Sequence, residues 1–337
     1  MATPDRTSLI QSPTPVHRLN RVSEDIGLDL WIKRDDLTGF ALGGNKGRKL
    51  EYIMAEALRE RAQVMVTCGA LQSNFVRQLG AACAMYGIRC VAAVMNLPYD
   101  REERKPTDRG LDAHGGNVTL DRLFGVELHL VPDDDWTILY GVAESLGVQY
   151  EKEGLRVYRV PVGGSSALGG YAFFQAAKEL ERQTGPFDFI VTASSSGSTQ
   201  AGLGQAYHGS ATRLIGIAAD TEPDLIEDVL RVSSGLGELL GLEHGLGAKD
   251  FDIRPGWAGP AYGVPSGDGN AAIEYLACKE GILLDPIYTG KAFAGLLALA
   301  RAGELKGRVL FWHTGGVPAL FAMGSGVREL GVREPGT

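Results

Sequence analysis

The chain has 337 residues, 44% of them hydrophobic and 22% charged, which predicts a packed globular protein of about two domains. Its 33 Lys and Arg residues against 41 Asp and Glu residues give a net charge of −8, which excludes a general electrostatic attraction to nucleic acid or to anionic membranes. We expect neither a signal peptide nor a transmembrane helix, and the four cysteines form no metal-binding pair, so a cytoplasmic enzyme with reduced thiols and no metal is predicted.

Apolar runs of strand length alternate with helical patterns along the chain. Helices are predicted over 47–60 and 72–87, where apolar residues recur on one face. Strands are predicted over 28–36, 62–69, 88–95, 127–135, 156–164, 187–194, 212–220 and 308–315. Strand, helix and strand in this order favour parallel sheets with crossover helices, so the sequence predicts an α/β fold.

The alternation is interrupted at 96–118, a charged and turn-rich stretch that we interpret as a surface excursion. Glycine-rich crossings near Gly47 and Gly163 mark the points where the chain could leave one sheet and return to it. We therefore predict a large discontinuous domain of residues 1–51 and 163–337, a small domain of residues 52–162 inserted in it, and a cleft between them.

A phosphate site is predicted where an apolar strand runs through SSSGST into a helix of small residues, at 189–207. The hydroxyls and backbone N–H groups of such a loop converge at a helix N-terminus, where the helix dipole adds positive potential. The alternative is a serine-capped helix without a ligand. Three serines, a glycine, a serine and a threonine exceed what one cap needs, which favours an anion cup at Ser196, Gly197, Ser198 and Thr199.

The stretch FALGGNKGRKLEY, residues 40–52, places Lys46 on a glycine-flanked turn just before a helix. It does not fit the nucleotide-binding P-loop, because Asn45 separates the second glycine from the lysine and Gly47 follows it. A lysine amine and a separate phosphate cup are what pyridoxal 5′-phosphate needs, since that cofactor carries an aldehyde and a phosphate. The alternative for Lys46 is an ordinary exposed lysine at a helix start.

Six segments resemble one family: GGNKGRKLEY, CGALQSNFVRQ, SSSGSTQAG, AYGVP, GILLDPIYTGKAFAGL and HTGGVPALF. In order, they are similar to the 1-aminocyclopropane-1-carboxylate deaminase / D-cysteine desulfhydrase family of fold type II pyridoxal-phosphate enzymes, related to the β subunit of tryptophan synthase. The resemblance extends from about Pro15 to Leu320. It implies two open, twisted, mostly parallel sheets flanked by helices, pyridoxal 5′-phosphate as cofactor, a small amino acid as substrate and a homodimer.

The resemblance also implies roles for the matching residues. Lys46 matches the lysine that binds the cofactor aldehyde, and Asn74 matches the partner of the cofactor's phenolic oxygen. Ser73 and the backbone after it would hold the substrate carboxylate at a helix start. Residues 196–199 match the phosphate cup.

Two tyrosines, Tyr262 in AYGVP and Tyr288 in DPIYTG, match active-site tyrosines of the family, one near the cofactor ring and one near the substrate. From the residues alone, the preferred interpretation of each is a packed aromatic side chain whose hydroxyl has a partner. Their assignment to the site therefore depends on the resemblance.

Two threonines, Thr289 and Thr314, resemble the desulfhydrase branch, because the deaminase branch has Glu and Leu at these positions. A carboxylate near the pyridine nitrogen makes the cofactor a strong electron sink, whereas a hydroxyl leaves a weaker one. Opening a cyclopropane ring needs the stronger activation, and expelling a thiolate does not. We therefore expect β-elimination from a small amino acid such as D-cysteine, giving pyruvate, ammonia and sulfide.

Phe75 departs from the family pattern, which has Gln in the deaminases and His in the desulfhydrases. Its ring cannot hydrogen-bond a substrate, although its backbone N–H remains available. The alternatives are therefore an aminocyclopropane carboxylate deaminase, a cysteate sulfo-lyase, an amino-acid racemase or another small D-amino-acid lyase. A non-catalytic module that binds a small molecule is a further alternative.

Overall fold

The computed structural model describes residues 3–220, 224–243 and 245–323. The larger of its two main sheets has six strands in the order β1-β2-β12-β9-β10-β11, and only the β1–β2 pair is antiparallel. These strands are β1 (Val16–Arg18), β2 (Asp29–Arg34), β9 (Phe189–Ser194), β10 (Arg213–Ala218), β11 (Asp252–Arg254) and β12 (Arg308–His313).

The smaller main sheet has four strands in the order β7-β4-β3-β8, and all of its pairs are parallel. A two-stranded antiparallel ribbon, β5–β6, lies within the charged stretch. The strands are β3 (Val64–Ala70), β4 (Arg89–Met95), β5 (Tyr99–Asp100), β6 (Lys105–Pro106), β7 (Glu127–Leu130) and β8 (Val157–Arg159). The central strands β3 and β4 are buried over nearly their whole length, which explains their continuous apolar runs.

Helices connect the parallel strands and cover the sheets. Two of them begin at residues of the predicted site, α2 at Lys46 and α3 at Asn74. Within the described residues the α-helices are α1 (Asn20–Ile26), α2 (Lys46–Arg59), α3 (Asn74–Tyr86), α4 (Gly116–Leu123), α5 (Trp136–Lys152), α6 (Ala167–Gln183), α7 (Ser198–Tyr207), α8 (Leu225–Leu240), α9 (Gly267–Glu280) and α10 (Thr289–Arg301).

The predicted elements correspond to observed ones, although several observed strands are shorter. Strand β7 ends at Leu130, two residues before Pro132, because a proline cannot donate to the sheet. The sequence analysis missed the short edge strands β1 and β11 and the β5–β6 ribbon. All strands of the smaller sheet lie between residues 64 and 159, and the domain boundaries at 52 and 163 stay a prediction, with α2 running across the first of them.

The turn before Lys46 depends on glycine. Gly43 has a φ of +74°, and a Cβ at this position would lie 1.8 Å from the backbone oxygen of Asp36. Gly44 has a φ of +119°, and its N–H donates to the backbone oxygen of Asp35. Only glycine fits this backbone, which turns the chain from β2 into α2 and so fixes where Lys46 lies.

No helix within the described ranges is both long and apolar enough to cross a membrane. The same part of the chain contains no cluster of His, Cys, Asp and Glu that could hold a metal ion.

Candidate active site

A cavity of about 630 Å³ opens at the carboxyl ends of strands from both main sheets. Ligands bind at this edge of open parallel sheets. The segments after β3, β9, β10 and β12 all contribute to its wall. The predicted site residues that line it are Lys46, Ser73, Asn74, Phe75, Ser196, Gly197, Thr199, Tyr262, Tyr288 and Thr314.

Lys46 lies at the start of α2, where its half-buried side chain lines the cavity. Burial lowers the pKa of Lys46 to about 8, so a substantial fraction of the amine is neutral near physiological pH. Gly163 lies between this amine and the anion cup, and distances measured from its position show how close the two are. A Cβ on Gly163 would lie 2.5 Å from Ser196 Oγ and 3.5 Å from Lys46 Nζ, so the lysine and the cup face one space.

The anion cup lies where β9 passes into α7. Because α7 begins at Ser198, the N–H groups of its first turn have no acceptor within the helix and are available to an anion. Asn45 joins the lysine turn to the cup, since its amide donates to Thr199 Oγ1 at 3.1 Å. Ser198 itself is buried behind the cavity wall, where its Oγ accepts from Ser165 Oγ at 3.3 Å.

The start of α3 supplies the third wall of the cavity. Ser73 caps the helix, because its Oγ accepts from the backbone N–H groups of Phe75 and Val76 at 3.2 and 3.3 Å. The Phe75 ring packs in the core against Gly164, where a Cβ would lie 2.6 Å from Cε2 of the ring. Phe75 therefore fills space behind the helix start, and a carboxylate at this N-terminus would meet the Ser73 hydroxyl and the Asn74 N–H.

Tyr262 and Tyr288 form a pair, with their hydroxyl oxygens 2.5 Å apart. Burial raises the pKa of Tyr262 to about 12, although the hydrogen bond from Tyr288 opposes this rise. Burial and the neighbouring Tyr262 raise the pKa of Tyr288 well above its usual value. Both hydroxyls therefore keep their protons at neutral pH, and because one of them donates to the other, the pair has one proton left to donate elsewhere. The ring of Trp136, from α5, lies 6.1 Å from the Tyr262 ring and extends this aromatic wall.

The two threonines occupy different positions. Thr314 lines the cavity just after β12, and its backbone oxygen accepts from the N–H of Asn45 at 2.9 Å. Thr289 is fully buried and lies one layer behind the wall, where its hydroxyl donates to Asp285 Oδ2 at 2.6 Å. The Thr289 hydroxyl is 3.5 Å from the backbone oxygen of Gly315, which does line the cavity.

Two buried basic residues beside Lys46 were not among the predicted site residues. Lys49 donates to the backbone oxygen of Gly163 at 3.1 Å, and burial together with the charge of Lys46 lowers its pKa well below the usual value. Arg48 forms ion pairs with Asp35 at 2.8 Å and with Glu179 at 2.9 Å. Lys46 and Lys49 are three residues apart, a spacing that places them on one helix face. This spacing could have identified Lys49 from the sequence.

Part of the cavity wall is acidic. Asp220, Asp224, Glu227 and Asp228 line it, and Arg231 in the same wall forms an ion pair with Asp228 at 2.8 Å. Negative potential on this side favours an ammonium group and disfavours a second anionic group on a bound molecule.

The cavity fits pyridoxal 5′-phosphate. It combines a lysine amine of lowered pKa with a hydroxyl-lined helix start, and Gly163 leaves open the space between them that a Cβ would fill. The residues present would hold the aldehyde at Lys46 and the phosphate at the 196–199 cup.

Comparisons with known proteins agree with this geometry. The family model described as pyridoxal-phosphate dependent enzyme matches residues 7–315. The chain is 41% identical over 325 residues to a D-cysteine desulfhydrase of Yersinia enterocolitica, and 39% identical over 328 residues to one of Serratia proteamaculans. Each alignment covers 94% of this chain and 95% of the relative.

Comparison with solved structures also indicates a pyridoxal-phosphate enzyme fold. A homologue of 1-aminocyclopropane-1-carboxylate deaminase superposes with a TM-score of 0.86 at 34% identity, covering 97% of this chain and 95% of that one. O-ureido-L-serine synthase, at 19% identity and a TM-score of 0.64, covers 96% of this chain and 94% of that one and shares the fold. The predicted family, fold and cofactor are confirmed: the chain belongs to the pyridoxal-phosphate dependent enzymes.

Proposed function

We propose that the chain is a D-cysteine desulfhydrase, which converts D-cysteine and water to pyruvate, ammonia and sulfide by β-elimination. The observation that carries the proposal is the single cavity in which Lys46 Nζ and Ser196 Oγ approach the same point beside Gly163. The relatives named as D-cysteine desulfhydrases, at 39–41% identity over nearly the whole chain, support the choice of substrate.

Different residues of the cavity bind different parts of the cofactor and the substrate. Pyridoxal 5′-phosphate, when bound, supplies an electron sink that allows a Cα–H bond to break and a β substituent to leave. The cup at 196–199 would hold its phosphate, and Thr314 offers a hydroxyl rather than a carboxylate in the cavity wall. Ser73 and the start of α3 bind and orient the substrate carboxylate.

Proton transfer is assigned from the pKa shifts. Lys46, whose pKa is lowered to about 8, is suited to remove the α-proton with its neutral amine. Tyr262 and Tyr288 are protonated at neutral pH, so the one hydroxyl of the pair whose proton is not shared is suited to donate a hydrogen bond to the leaving sulfur rather than to act as a base. Lys46, rather than either tyrosine, is therefore proposed as the base that removes the α-proton.

Two alternatives are less well supported. Deamination of aminocyclopropane carboxylate has a solved homologue at 34% identity in its favour, but Thr314 places a hydroxyl and not a carboxylate in the cavity wall, and Thr289, which lies behind that wall, supplies no carboxylate either. Cleavage of cysteate would place a sulfonate in a cavity whose described charged wall residues are four carboxylates, Lys46 and Arg231, and Arg231 is already paired with Asp228. An amino-acid racemase and a non-catalytic binding module have no specific observation in their favour.

We also propose a homodimer in the cytoplasm, with the domain division at residues 52 and 163. An exposed apolar face supports the dimer. It surrounds a groove beside the turn that carries Lys46, and its large side chains are Leu37, Leu42, Leu283 and Phe321, which are 45–75% exposed. Exposed apolar groups concentrated in one place are typical of protein interfaces.

A substrate panel tests the function. Purified protein loaded with pyridoxal 5′-phosphate is given D-cysteine, L-cysteine, β-chloro-D-alanine, cysteate and aminocyclopropane carboxylate, and sulfide, ammonia and oxoacids are measured. We expect sulfide and pyruvate from D-cysteine, none with Lys46→Ala, and full activity with Lys178→Ala, an exposed lysine on α6. Turnover of aminocyclopropane carboxylate in preference to D-cysteine, or sulfide release by Lys46→Ala, would contradict the proposal.

A further inference from the structure

Behind Asn74 lies a buried hydrogen-bond network centred on Arg77. Arg77 is fully buried on α3, less than one turn after Asn74. Its Nη1 donates to Asn74 Oδ1 at 3.0 Å and to Asn117 Oδ1 at 2.5 Å, and its Nη2 donates to the backbone oxygen of Gly43 at 2.9 Å. One guanidinium thus contacts the start of α3, the start of α4 and the turn that carries Lys46.

The network fixes which way the Asn74 amide points. A guanidinium has donors only, so the side-chain atoms of Asn74 and Asn117 that face Arg77 are oxygens. The nitrogen of Asn117 is therefore on its other side, where it donates to the backbone oxygen of Gln72 at 2.8 Å and to Asn74 Oδ1 at 3.1 Å. The oxygen of Asn74 therefore accepts from Arg77 and from Asn117. In the opposite orientation, the NH₂ group of Asn74 would face these two N–H donors.

The nitrogen of Asn74 has no hydrogen-bond partner among the described residues, and Asn74 lines the cavity. We propose that Arg77 is a positioning residue that locks the Asn74 amide with its nitrogen toward the cavity, as a donor to an oxygen of the bound cofactor. The same guanidinium donates to the Gly43 carbonyl. It therefore fixes the position of the Asn74 side chain relative to the turn that carries Lys46. The inference rests on the proposed function for the identity of the ligand.

The charge of Arg77 is not neutralised by a direct ion pair within the described residues, since neither of its neighbouring carboxylates forms a hydrogen bond with it. These carboxylates are Asp121 and Asp285. Burial raises the pKa of Asp121 to about 8, so it is mostly protonated at neutral pH, and burial lowers the pKa of Arg77 to about 10, so it stays charged. A cation bonded to the oxygen of an amide polarises it and strengthens its N–H as a donor.

A double-mutant cycle on cofactor binding tests whether Arg77 acts through Asn74. The dissociation constant of pyridoxal 5′-phosphate is measured for the wild-type full-length chain, Arg77→Met, Asn74→Ala and the double variant, with Arg122→Met on the exposed face of α4 as the control. We expect each single change to weaken binding by about 10- to 100-fold, as for a lost hydrogen bond to a charged group. In the Asn74→Ala background, Arg77→Met should add less than about threefold, and Arg122→Met should have no effect.

An isosteric variant keeps the test decisive if Arg77→Met does not fold. Asn74→Asp retains the two acceptor contacts and gives Arg77 a counter-charge, so its melting temperature should equal or exceed that of wild type. Its cofactor binding should nevertheless weaken more than that of Asn74→Ala, because an anionic acceptor replaces the donor. Wild-type affinity in Asn74→Asp, or equal losses from Arg77→Met with and without Asn74, overturns the proposal. Failure of the wild-type chain to bind the cofactor would instead contradict the proposed function.

Discussion

The hydroxyl oxygens of Tyr262 and Tyr288 lie 2.5 Å apart at the cavity wall, and the two rings meet nearly edge to face with centroids 6.2 Å apart. The two segments that supply them, residues 262 and 288, come from loops on either side of α9. Because each hydroxyl contacts the other, a substitution of one tyrosine should change the pKa of the other.

Removing one tyrosine should change the other in a defined direction. The hydrogen bond from Tyr288 lowers the pKa of Tyr262, so Tyr288→Phe should raise that pKa further. Tyr262 raises the pKa of Tyr288, so Tyr262→Phe lowers it. Ultraviolet difference titration of tyrosinate in the two variants measures both shifts. Tyr275, a half-buried residue of α9 that donates to Asp25 and does not line the cavity, provides the control variant Tyr275→Phe. Shifts of the same sign in both site variants would refute the pair.

The rate of cofactor uptake should depend on the protonation of Lys46. Only its neutral amine can attack an aldehyde, and its pKa is lowered by burial to about 8. In apoprotein, the second-order rate of pyridoxal phosphate binding should therefore rise with pH, about tenfold per unit below pH 8, and level off above it. Stopped-flow absorbance measures this profile. An inflection near the ordinary lysine value of 10.5 would show that the amine is solvated.

Thr289 should matter for stability more than for substrate choice. Its hydroxyl is one of four donors to the fully buried carboxylate of Asp285, together with the backbone N–H groups of residues 287, 288 and 289. Thr289→Val removes one donor and should lower the free energy of unfolding by about 1–3 kcal/mol, whereas Thr289→Ser keeps the donor and should cost less. Urea denaturation measures the difference. Equal stability of the Val variant and wild type would show that the bond contributes nothing.

The exposed apolar face should hold the dimer together. Leu42 is 64% exposed with a φ of +64°, and Phe321 is 75% exposed. In a dimer formed through this face, Leu42→Lys and Phe321→Lys each bury a charge and should shift the protein toward monomer, as measured by sedimentation velocity. Leu130→Lys, an exposed position on the edge strand β7, should leave the dimer intact. A monomeric wild type, or dimeric variants of both residues, would contradict this interface.

Local patterns were sufficient to predict much of the fold and part of the site. The buried runs of β3 and β9 and the glycine turn before Lys46 depend on neighbours in sequence, so the sequence indicates them directly. The anion cup is likewise a local feature, because a strand end, small polar residues and a helix start follow one another. The placement of the tyrosine pair required the family resemblance, since two residues 26 positions apart give no local signal of contact.

Other features depend on partners distant in sequence. Arg48 is buried because Glu179, 131 residues away, completes its ion pairs, and nothing near residue 48 predicts this. Phe75 was assigned to the substrate site, yet its ring packs against Gly164 in the core while the residue still borders the cavity. Arg77 was not identified at all, because its role follows from where α3, α4 and the lysine turn meet.

The two lysines in the first turn of α2 provide the most direct test of the central claim. Lys46 and Lys49 lie on one face of α2, and we assign the cofactor aldehyde to Lys46 alone, because Lys49 donates to the backbone oxygen of Gly163. Protein loaded with pyridoxal 5′-phosphate is reduced with borohydride, digested and analysed by mass spectrometry. We predict one stable cofactor adduct, on the Lys46 side chain. An adduct on Lys49 instead, or no adduct on either lysine, would contradict the account.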